Sequence, residues 1–590
     1  MKYGPIITAA VGLIALAIAG CTHPLDRSLE QQLREQLAGS RRAHLDALTP
    51  GQVITTTRRP SEVEAELTDQ RRRQLDAMSG PNAYGDMKLD IGGDLVGNHD
   101  EPMVAITLQR AIREAVANNL TIQIARIQPA VTETQLRQAE AIFDASFFAN
   151  VSWEKLDTPR PEVSDAFSAL GLGSSQSDST SFTTGIRKPL TTGGQATVQT
   201  TLTNQWAMPS SFTADDSGFR YYSNSITMSV SQPLLRNFGT EVNRAQIEIT
   251  ENARREAVHD LHGRLLDLVQ VVEEAYWNLV FQRQRLLIQQ HLLTRTIDTR
   301  DRVKQRENYD ATPAQITEAN SFVESRRAEL IRARQAVRRA SDELKRLINT
   351  EDLHVADEML LMPLESPADL AFEFSLLDSV TTALNHRPEV KRALLEISDA
   401  SIRQRVADNQ RLPLLNIIGT VRYNGVGDSA GDTYSATGDA QFIDYLFGAE
   451  FEMPIGNREA QAAYRQRQLE RRASVINYQR VAQDVVVEVK DSMREVTMDY
   501  ELIGAERAAR RAAAENVRAL QEQEEAGEAL TPEFSDRKLR RLEALASAEL
   551  RELQSLVDYQ IAISNYYRTM GTLLEHNAID FNDPLADAKK

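Results

Sequence analysis

A single cysteine, Cys21, is present in a chain of 590 residues. No disulfide can form within the chain, and no cysteine pair can hold zinc. Aromatic residues make up 6% of the sequence. That is too few for one large globular core, and it fits long helices built of Ala, Leu, Glu, Arg and Gln. Positive charge is in deficit, with a net charge of −17, so the basic patch that nucleic acid requires is missing. The acidic excess fits a solvated helical surface or a pore that favours cations. There is no phosphate-binding Gly-x-x-x-x-Gly-Lys-[Ser/Thr] loop and no His-Glu-x-x-His. His259 and His262 could share one helical face, but no third ligand is near, and they read as surface histidines. Gly171-Leu172-Gly173-Ser174 is a run of small residues and not a nucleophile elbow. No nucleophile, base and orienting acid can be assembled, so an enzyme is the least supported class, and neither cofactor nor metal is expected. Beyond the first twenty residues no apolar run approaches eighteen, so a membrane crossing would have to be made by strands.

What is present begins at the N-terminus. Lys2 precedes an apolar run from Ile6 to Ala19, too short to span a bilayer at about 20 residues and of the length of a signal-peptide core. Leu16-Ala17-Ile18-Ala19-Gly20-Cys21 is similar to a bacterial lipoprotein processing site, which makes Cys21 the expected lipidation site. Thr22 follows where an Asp would resemble an inner-membrane retention signal, so the outer membrane is favoured. Residues 22–100 read as a polar tether with some helix at Leu29–Leu48 and Val63–Met78 and no recognisable chemistry.

Two stretches then repeat one order. A short helix (Leu108–Ala117, then Leu376–Leu384) leads to a longer one (Ile122–Ala141 with Pro129, then a helix up to Asn409). Strand patterns follow. Phe147, Ala149, Val151 and Trp153 alternate with Phe148, Asn150, Ser152 and Glu154. Ala196, Val198, Thr200, Leu202 and Trp206 alternate with Gln195, Thr197, Gln199, Thr201 and Gln205. Ile226, Met228 and Val230 alternate with Ser225, Thr227, Ser229 and Ser231. Leu415, Ile417, Val421 and Tyr423 oppose Asn416, Thr420, Arg422 and Asn424, and Tyr445, Phe447, Ala449, Phe451 and Met453 oppose Gly448, Glu450 and Glu452. With the strand through Phe182, Thr184 and Ile186 the count is six. Loops are expected at Gly171–Thr180 and Gly425–Asp439. Period-two alternation with small hydroxyl and amide residues on the wet side suits a barrel wall between lipid and a water-filled lumen. A soluble sheet with one wet face shares the period.

Each set of strands ends in proline, Pro233 and Pro454, where a ladder must stop for want of an N–H. Apolar residues then recur three or four apart from Glu241 to about Asn308, a helix of about 100 Å at 1.5 Å per residue. It breaks at Tyr309 and restarts at Thr312-Pro313, a cap followed by proline in the first turn. The second long helix runs from Arg458 to about Glu525, breaks at Ala526-Gly527 and restarts at Thr531-Pro532.

The lipoprotein start and the duplicated order resemble TolC-type outer-membrane efflux channels. The resemblance covers about residues 100–575 and rests on Asn385-His386-Arg387-Pro388-Glu389, Leu412-Pro413, Ser231-Gln232-Pro233-Leu234-Leu235 and the paired hairpin breaks. It implies a mixed membrane α/β fold, in which a transmembrane β-barrel shared by a trimer continues into a long periplasmic α-helical barrel, with two internal structural repeats. The expected domains are a signal peptide (1–20), a lipid-anchored tether (21–100), repeat 1 (101–349), an inter-repeat linker in the equatorial region (350–374), repeat 2 (375–575) and a polar tail (576–590). The implied function is that of a passive exit duct of a tripartite efflux or type I secretion system. Its partners would be two further copies of itself, a periplasmic adaptor, an inner-membrane efflux pump or ABC exporter, and outer-membrane lipid. The helix-hairpin tips, with Tyr309, Thr312, Pro313, Gly527, Thr531 and Pro532, would dock the adaptor. The family's tip pattern places an acid where this chain has Gln315 and Phe534; Glu533, Asp536 and Glu318 stand beside those positions as candidates for an acidic ring at the pore tip. The family typically supplies four strands per subunit, so six imply either a larger barrel or a pair outside it. The rival readings are a lipid-tethered periplasmic coiled-coil scaffold with no channel, and an autotransporter-like or porin-like uptake barrel, against which the long helices speak.

Overall fold

The structure, a computed structural model, describes Glu35, Gly39 and residues 53–58, 61–81, 83–84, 87–93, 103–158, 175–207, 219–307, 311–526 and 531–581. Cys21, Tyr309 and Gly527 lie outside the described residues, and of the helix expected at Leu29–Leu48 only Glu35 and Gly39 are described, both helical.

In chain order the elements are β1 (Val53–Thr55), α1 (Glu62–Glu66), α2 (Asp69–Ser79), β2 (Met103–Ile106), α3 (Leu108–Asn118), α4 (Leu120–Glu140), β3 (Ser146–Thr158), β4 (Ser175–Pro189), β5 (Gln195–Ala207) and β6 (Phe219–Pro233). Next come α5 (Thr240–Asn243), α6 (Ala245–Gln305), α7 (Pro313–Ile348), β7 (Leu360–Pro363), β8 (Glu373–Ser375), α8 (Leu376–His386), α9 (Pro388–Asn409) and β9 (Leu414–Gly427). The last are α10 (Ala430–Gly438), β10 (Phe442–Glu452), α11 (Arg458–Glu525), α12 (Pro532–Met570) and α13 (Leu573–His576). The chain divides into two compact units, one from Met1–Gln36, Val131–Arg255 and Leu395–Ile476, the other from Leu37–Ala130, Glu256–Leu394 and Asn477–Lys590.

The first unit holds one antiparallel sheet of six strands in the order β10-β9-β6-β5-β4-β3. All six expected strands are therefore members of one sheet. Two of the expected loops are shorter than their composition suggests. Ser175–Thr180 already pairs with Thr158–Trp153 as the start of β4, because Ser and Thr satisfy a wet strand face as readily as a loop. Gly425 and Gly427 belong to β9, and the stretch after them folds into α10, capped by Ser429, whose hydroxyl accepts from Asp432 N–H. A Cβ on Gly425 would lie 2.3 Å from Thr437 Oγ1 and 2.6 Å from Thr433 O, so the glycine is what lets α10 lie against the strand.

The second unit is built on helices. Along α6, Leu265, Val269, Val272, Tyr276 and Leu279 are buried at helical spacing and meet Ala333, Val337, Ala340 and Leu344 of α7 and Ile112 and Ala115 of α3. Asn349, at φ 49°, closes α7 in the left-handed region that Asn tolerates. Gly571, at φ 76°, ends α12 with its N–H on Arg568 O and Tyr567 O. The expected linker is partly ordered into strands: β7 pairs in parallel with β2, and β8 pairs antiparallel with β1. His262 is half-buried and stacks on Phe581 at 4.9 Å, so it is no surface histidine. Burial, with Lys391 and His259 adding, pushes its imidazole down to about 4. Among the described residues no group of three or more His, Cys, Asp or Glu side chains could hold a metal ion, and no helix is long and apolar enough to cross a membrane.

Candidate channel wall and helix tips

The sheet register sorts the strand residues onto two faces. Phe147, Ile186, Val198, Met228, Val421 and Tyr445 are mutual neighbours across all six strands. This apolar row is open to its surroundings: Phe147 is 74% exposed, and Val151 (72%), Trp153 (66%) and Phe447 (77%) on the same face are similar. A folded chain in water rarely leaves so continuous an apolar surface bare. The opposite face carries the row Asn150, Thr183, Thr201, Ser225 and Asn424. Its hydroxyls bond across strands, Ser181 with Thr203 at 2.9 Å and Thr183 with Thr201 at 3.1 Å, and Asn424 donates to Asp444 at 2.7 Å.

The apolar face stops toward the end of the sheet where β3 passes to β4. Trp153 Nε1 donates to Asp178 at 2.6 Å, an amphipathic ring with its polar edge engaged, as at a membrane interface. Asn224, only 2% exposed on that face, accepts from Thr200 at 2.9 Å and donates to Thr437 of α10 at 3.2 Å. Residues 159–174, 208–218 and 428–441 join strands at this end. At the other end β4 and β5 are joined by the short turn 190–194, and β3, β6, β9 and β10 connect to helices. Long connections on one side and short turns on the other are the usual asymmetry of an outer-membrane barrel.

Pro233 closes β6 opposite Asn416, and Leu234 N–H still bonds Leu415 O at 2.7 Å before the chain turns to α5. Pro454 follows β10 and leads into Gly456 (φ 87°) and Asn457 (φ 39°), whose side chain donates to Arg411 O at 2.8 Å. These left-handed residues turn the chain from strand to helix.

In the second unit the ends of α6 and α11 and the starts of α7 and α12 carry the sequence-predicted tip residues. Thr312 caps α7 through Gln315 N–H, and Gln315 Oε1 accepts from Thr312 N–H at 2.6 Å, a complete capping box. Gln315 is thus engaged in the cap at the position where the family pattern has an acid. Thr531 caps α12 through Phe534 N–H at 3.2 Å, with Pro532 in the first turn. Phe534 is 2% exposed and lies 5.3 Å below the Arg537 guanidinium, so the residue in the second acidic position is a packing residue. Asp536 accepts two bonds of 2.9 Å from Arg540 Nε. Glu318 also acts on Arg540. Glu533 is exposed. A bridge ties the two hairpins: Glu524 accepts from Arg302 of α6 and, at 2.5 Å, from Lys538 of α12. Burial works against the charged form of Glu524, but the bonds from Lys538 and Arg302 prevail and hold its carboxyl below the usual range. Arg326 of α7 pairs with Glu543 of α12 at 2.8 Å.

The part that sequence reasoning missed is the N-terminal strap. The helix expected at Val63–Met78 is present as α1 and α2, but the residues expected to be a polar tether are docked within the second unit. Leu75 and Tyr84 are buried with Leu287, Leu292, Ala514, Val517, Leu542 and Leu545. Asp76 of α2 receives Arg510 at 2.7 Å and Arg511 at 2.7 and 3.0 Å, and Glu64 receives Arg511 at 2.6 Å. Arg510 also binds Glu552, which Arg507 reaches at 2.7 Å, and Arg507 and Arg58 share Asp369 at 2.7 and 3.1 Å. Tyr84 donates to Glu549 at 2.9 Å. Burial pushes the Glu549 carboxyl up to about 7, against the pull of Tyr84, Arg295 and Arg510. The signal was present as Arg507, Arg510 and Arg511 on one stretch and Glu64 and Asp76 on another, but no local rule pairs charges more than 400 positions apart.

No family model matches the sequence, and no curated protein matches it. Solved structures do match. The Campylobacter jejuni CmeC outer membrane channel is 13% identical with a TM-score of 0.56, over 85% of this chain and 94% of that one. The open state of the Neisseria gonorrhoeae MtrE outer membrane channel is 17% identical with a TM-score of 0.54, over 79% of this chain and 89% of that one. The outer-membrane channel OprN is 12% identical with a TM-score of 0.55, over 79% and 90%. The likeness is one of fold, and the fold is that of outer-membrane channels.

Proposed function

We infer, from a chain with the fold of the TolC-type outer-membrane channels, that this protein is a passive exit duct of the outer membrane. The observation that carries the reading is the unbroken apolar row from Phe147 to Tyr445, exposed on one face of the sheet while hydroxyl and amide groups line the other through β4, β5 and β6. Lipid on one side and water on the other account for both. A coiled-coil scaffold would leave that apolar face without a purpose.

In this reading three copies share one barrel, Cys21 carries the lipid anchor, and the long helices stand in the periplasm. Pro233 and Pro454 mark where wall passes to tunnel. The tips around Tyr309, Thr312, Pro313, Gly527, Thr531 and Pro532 dock a periplasmic adaptor joined to an inner-membrane pump or exporter, which supplies the energy. Glu533, Asp536 and Glu318 contribute acidic charge at the narrow end and favour cations there. The duct opens when the partner binds the parted tips better than the closed ones.

Reconstitution of the purified protein in planar bilayers tests this. The expected result is discrete single-channel currents from a species that migrates differently on a gel before and after heating. A Cys21→Ser protein that stays monodisperse in buffer without detergent and passes no current would overturn the proposal.

A further inference from the structure

The six-stranded sheet bears on the size of what can pass. This inference rests on the duct reading above. β4 and β5 are no excursion from the wall. β4 forms thirteen register pairs with β3 and thirteen with β5, and β5 forms thirteen with β6. The apolar row and the polar row both run through the pair without changing face. The turn between them is fastened to the strand-to-helix junction: Thr192 Oγ1 donates to Gln232 Oε1 at 2.7 Å, Gln232 Nε2 donates to Thr192 O at 3.2 Å, and Gly239 N–H donates to Thr192 O at 3.1 Å. Gly193, at φ 92°, sits where a Cβ would meet Asn237 O at 2.1 Å.

Among the described residues the sheet has two edges, the outer sides of β3 and β10. A long bare edge is a template for another strand. Six strands in antiparallel order leave β3 and β10 running in opposite directions, so β3 of one copy can continue the ladder beside β10 of the next, still antiparallel. Six alone cannot enclose a lumen, since about eight strands only just leave room for their own side chains.

We propose that three copies close an eighteen-stranded barrel, wider than the twelve-stranded one that four strands per copy would give, and that the cargo class is set by size: hydrated solutes up to about 26 Å across. With strands about 4.8 Å apart and tilted about 40°, eighteen give a wall about 36 Å in diameter and twelve about 24 Å. Side chains on both sides take about 10 Å of that, leaving about 26 Å against about 14 Å. The polar face of β4, β5 and β6 carries Arg187 as its one described charge, amid Ser, Thr, Gln and Tyr, while β3, β9 and β10 add Glu154, Arg422, Asp444, Glu450 and Glu452.

The experiment is polymer exclusion with the full-length lipoprotein in planar bilayers, with neutral polyethylene glycols of graded size added on the side that faces the long connections. The mass of the detergent-solubilised complex gives the copy number. The expected result is three copies and a fall in conductance with polymers up to about 26 Å across. End-on single-particle images, which need no current, are expected to show a strand region about 36 Å wide. Three copies with exclusion above about 14 Å and an outline near 24 Å would overturn the wide barrel and leave the duct standing. A monomer without current would overturn both. A chain lacking residues 175–207 that still assembles is expected to move the cut-off down to the narrow value; an unmoved cut-off would take the hairpin out of the wall.

Discussion

Arg510 and Glu552 form an ion pair that solvent barely reaches, with side chains 2% and 1% exposed. Arg510 also holds Asp76 and Ser79 of the strap, so one guanidinium joins α11, α12 and the N-terminal segment. Removing one member of a buried pair leaves an uncompensated charge, at a cost of about 3–5 kcal/mol. Arg510→Ala is therefore expected to free the strap. Limited proteolysis should then cut within residues 61–84 faster than in the parent protein. Equal resistance in both would show that the apolar contacts of Leu75 and Tyr84 hold the strap alone.

The strap is also expected to respond to pH. Glu549 is raised to about 7 from an ordinary 4.5. A raised carboxyl gives stability that is full below the unfolded value and is lost as pH climbs through the folded one. The gap corresponds to about 3 kcal/mol at most. Asp76 has the opposite sign. Burial opposes its charge, but Arg511 and Arg510 lower its value below 3.8, so its contribution is lost as pH falls beneath that. Tyr84 from the strap, His291 and Arg295 from α6, Arg510 from α11 and Glu552 from α12 are the other charged or titratable groups around Glu549. Amide exchange of α2, corrected for intrinsic rates, should be slower at pH 5.5 than at pH 8. Glu549→Gln, which still accepts from Tyr84, should flatten the difference.

At the tips, Asp536 is matched within its own helix by Arg540, whereas Glu533 is exposed in the first turn. If these carboxylates face the narrow end of a pore, Arg540→Ala should raise cation preference and Glu533→Gln should lower it. Reversal potentials under a salt gradient measure both. Values that do not move in either variant would remove the tip acids from the conduction path.

The long helices and six strands were legible because each is a sustained period, 3.6 or 2, over more residues than any local exception can disturb. The end of α11 at Glu525 and the restart at Pro532 could be read from Gly527 and Thr531-Pro532. The tip chemistry was half legible. Thr312 announces a cap, but that Gln315 closes the capping box, and that Phe534 points into a core, depends on neighbours far along the chain. The strap was legible as helix at Val63–Met78, but its docking was not, for the same reason: it depends on Arg507, Arg510 and Arg511 far along the chain. α10 hid among Gly, Ser, Thr and Asp because those residues cap helices as readily as they make turns.

The sidedness of the sheet is the claim with the sharpest single test. Val151 and Thr201 both lie on central stretches of their strands but face opposite ways, Val151 in the exposed apolar set and Thr201 bonded to Thr183. A lysine placed on the lipid face near mid-depth costs about 2–4 kcal/mol, whereas one on the lumen face keeps its ammonium in water and costs little. Val151→Lys should therefore lower the urea midpoint of the protein in phospholipid vesicles by more than Thr201→Lys, which loses only the hydroxyl bond to Thr183 and shifts ion preference toward anions. In a soluble sheet with Val151 toward solvent the order would differ: Val151→Lys would be harmless and Thr201→Lys would break a cross-strand hydroxyl pair. The ranking of the two midpoints decides which side of the wall meets lipid.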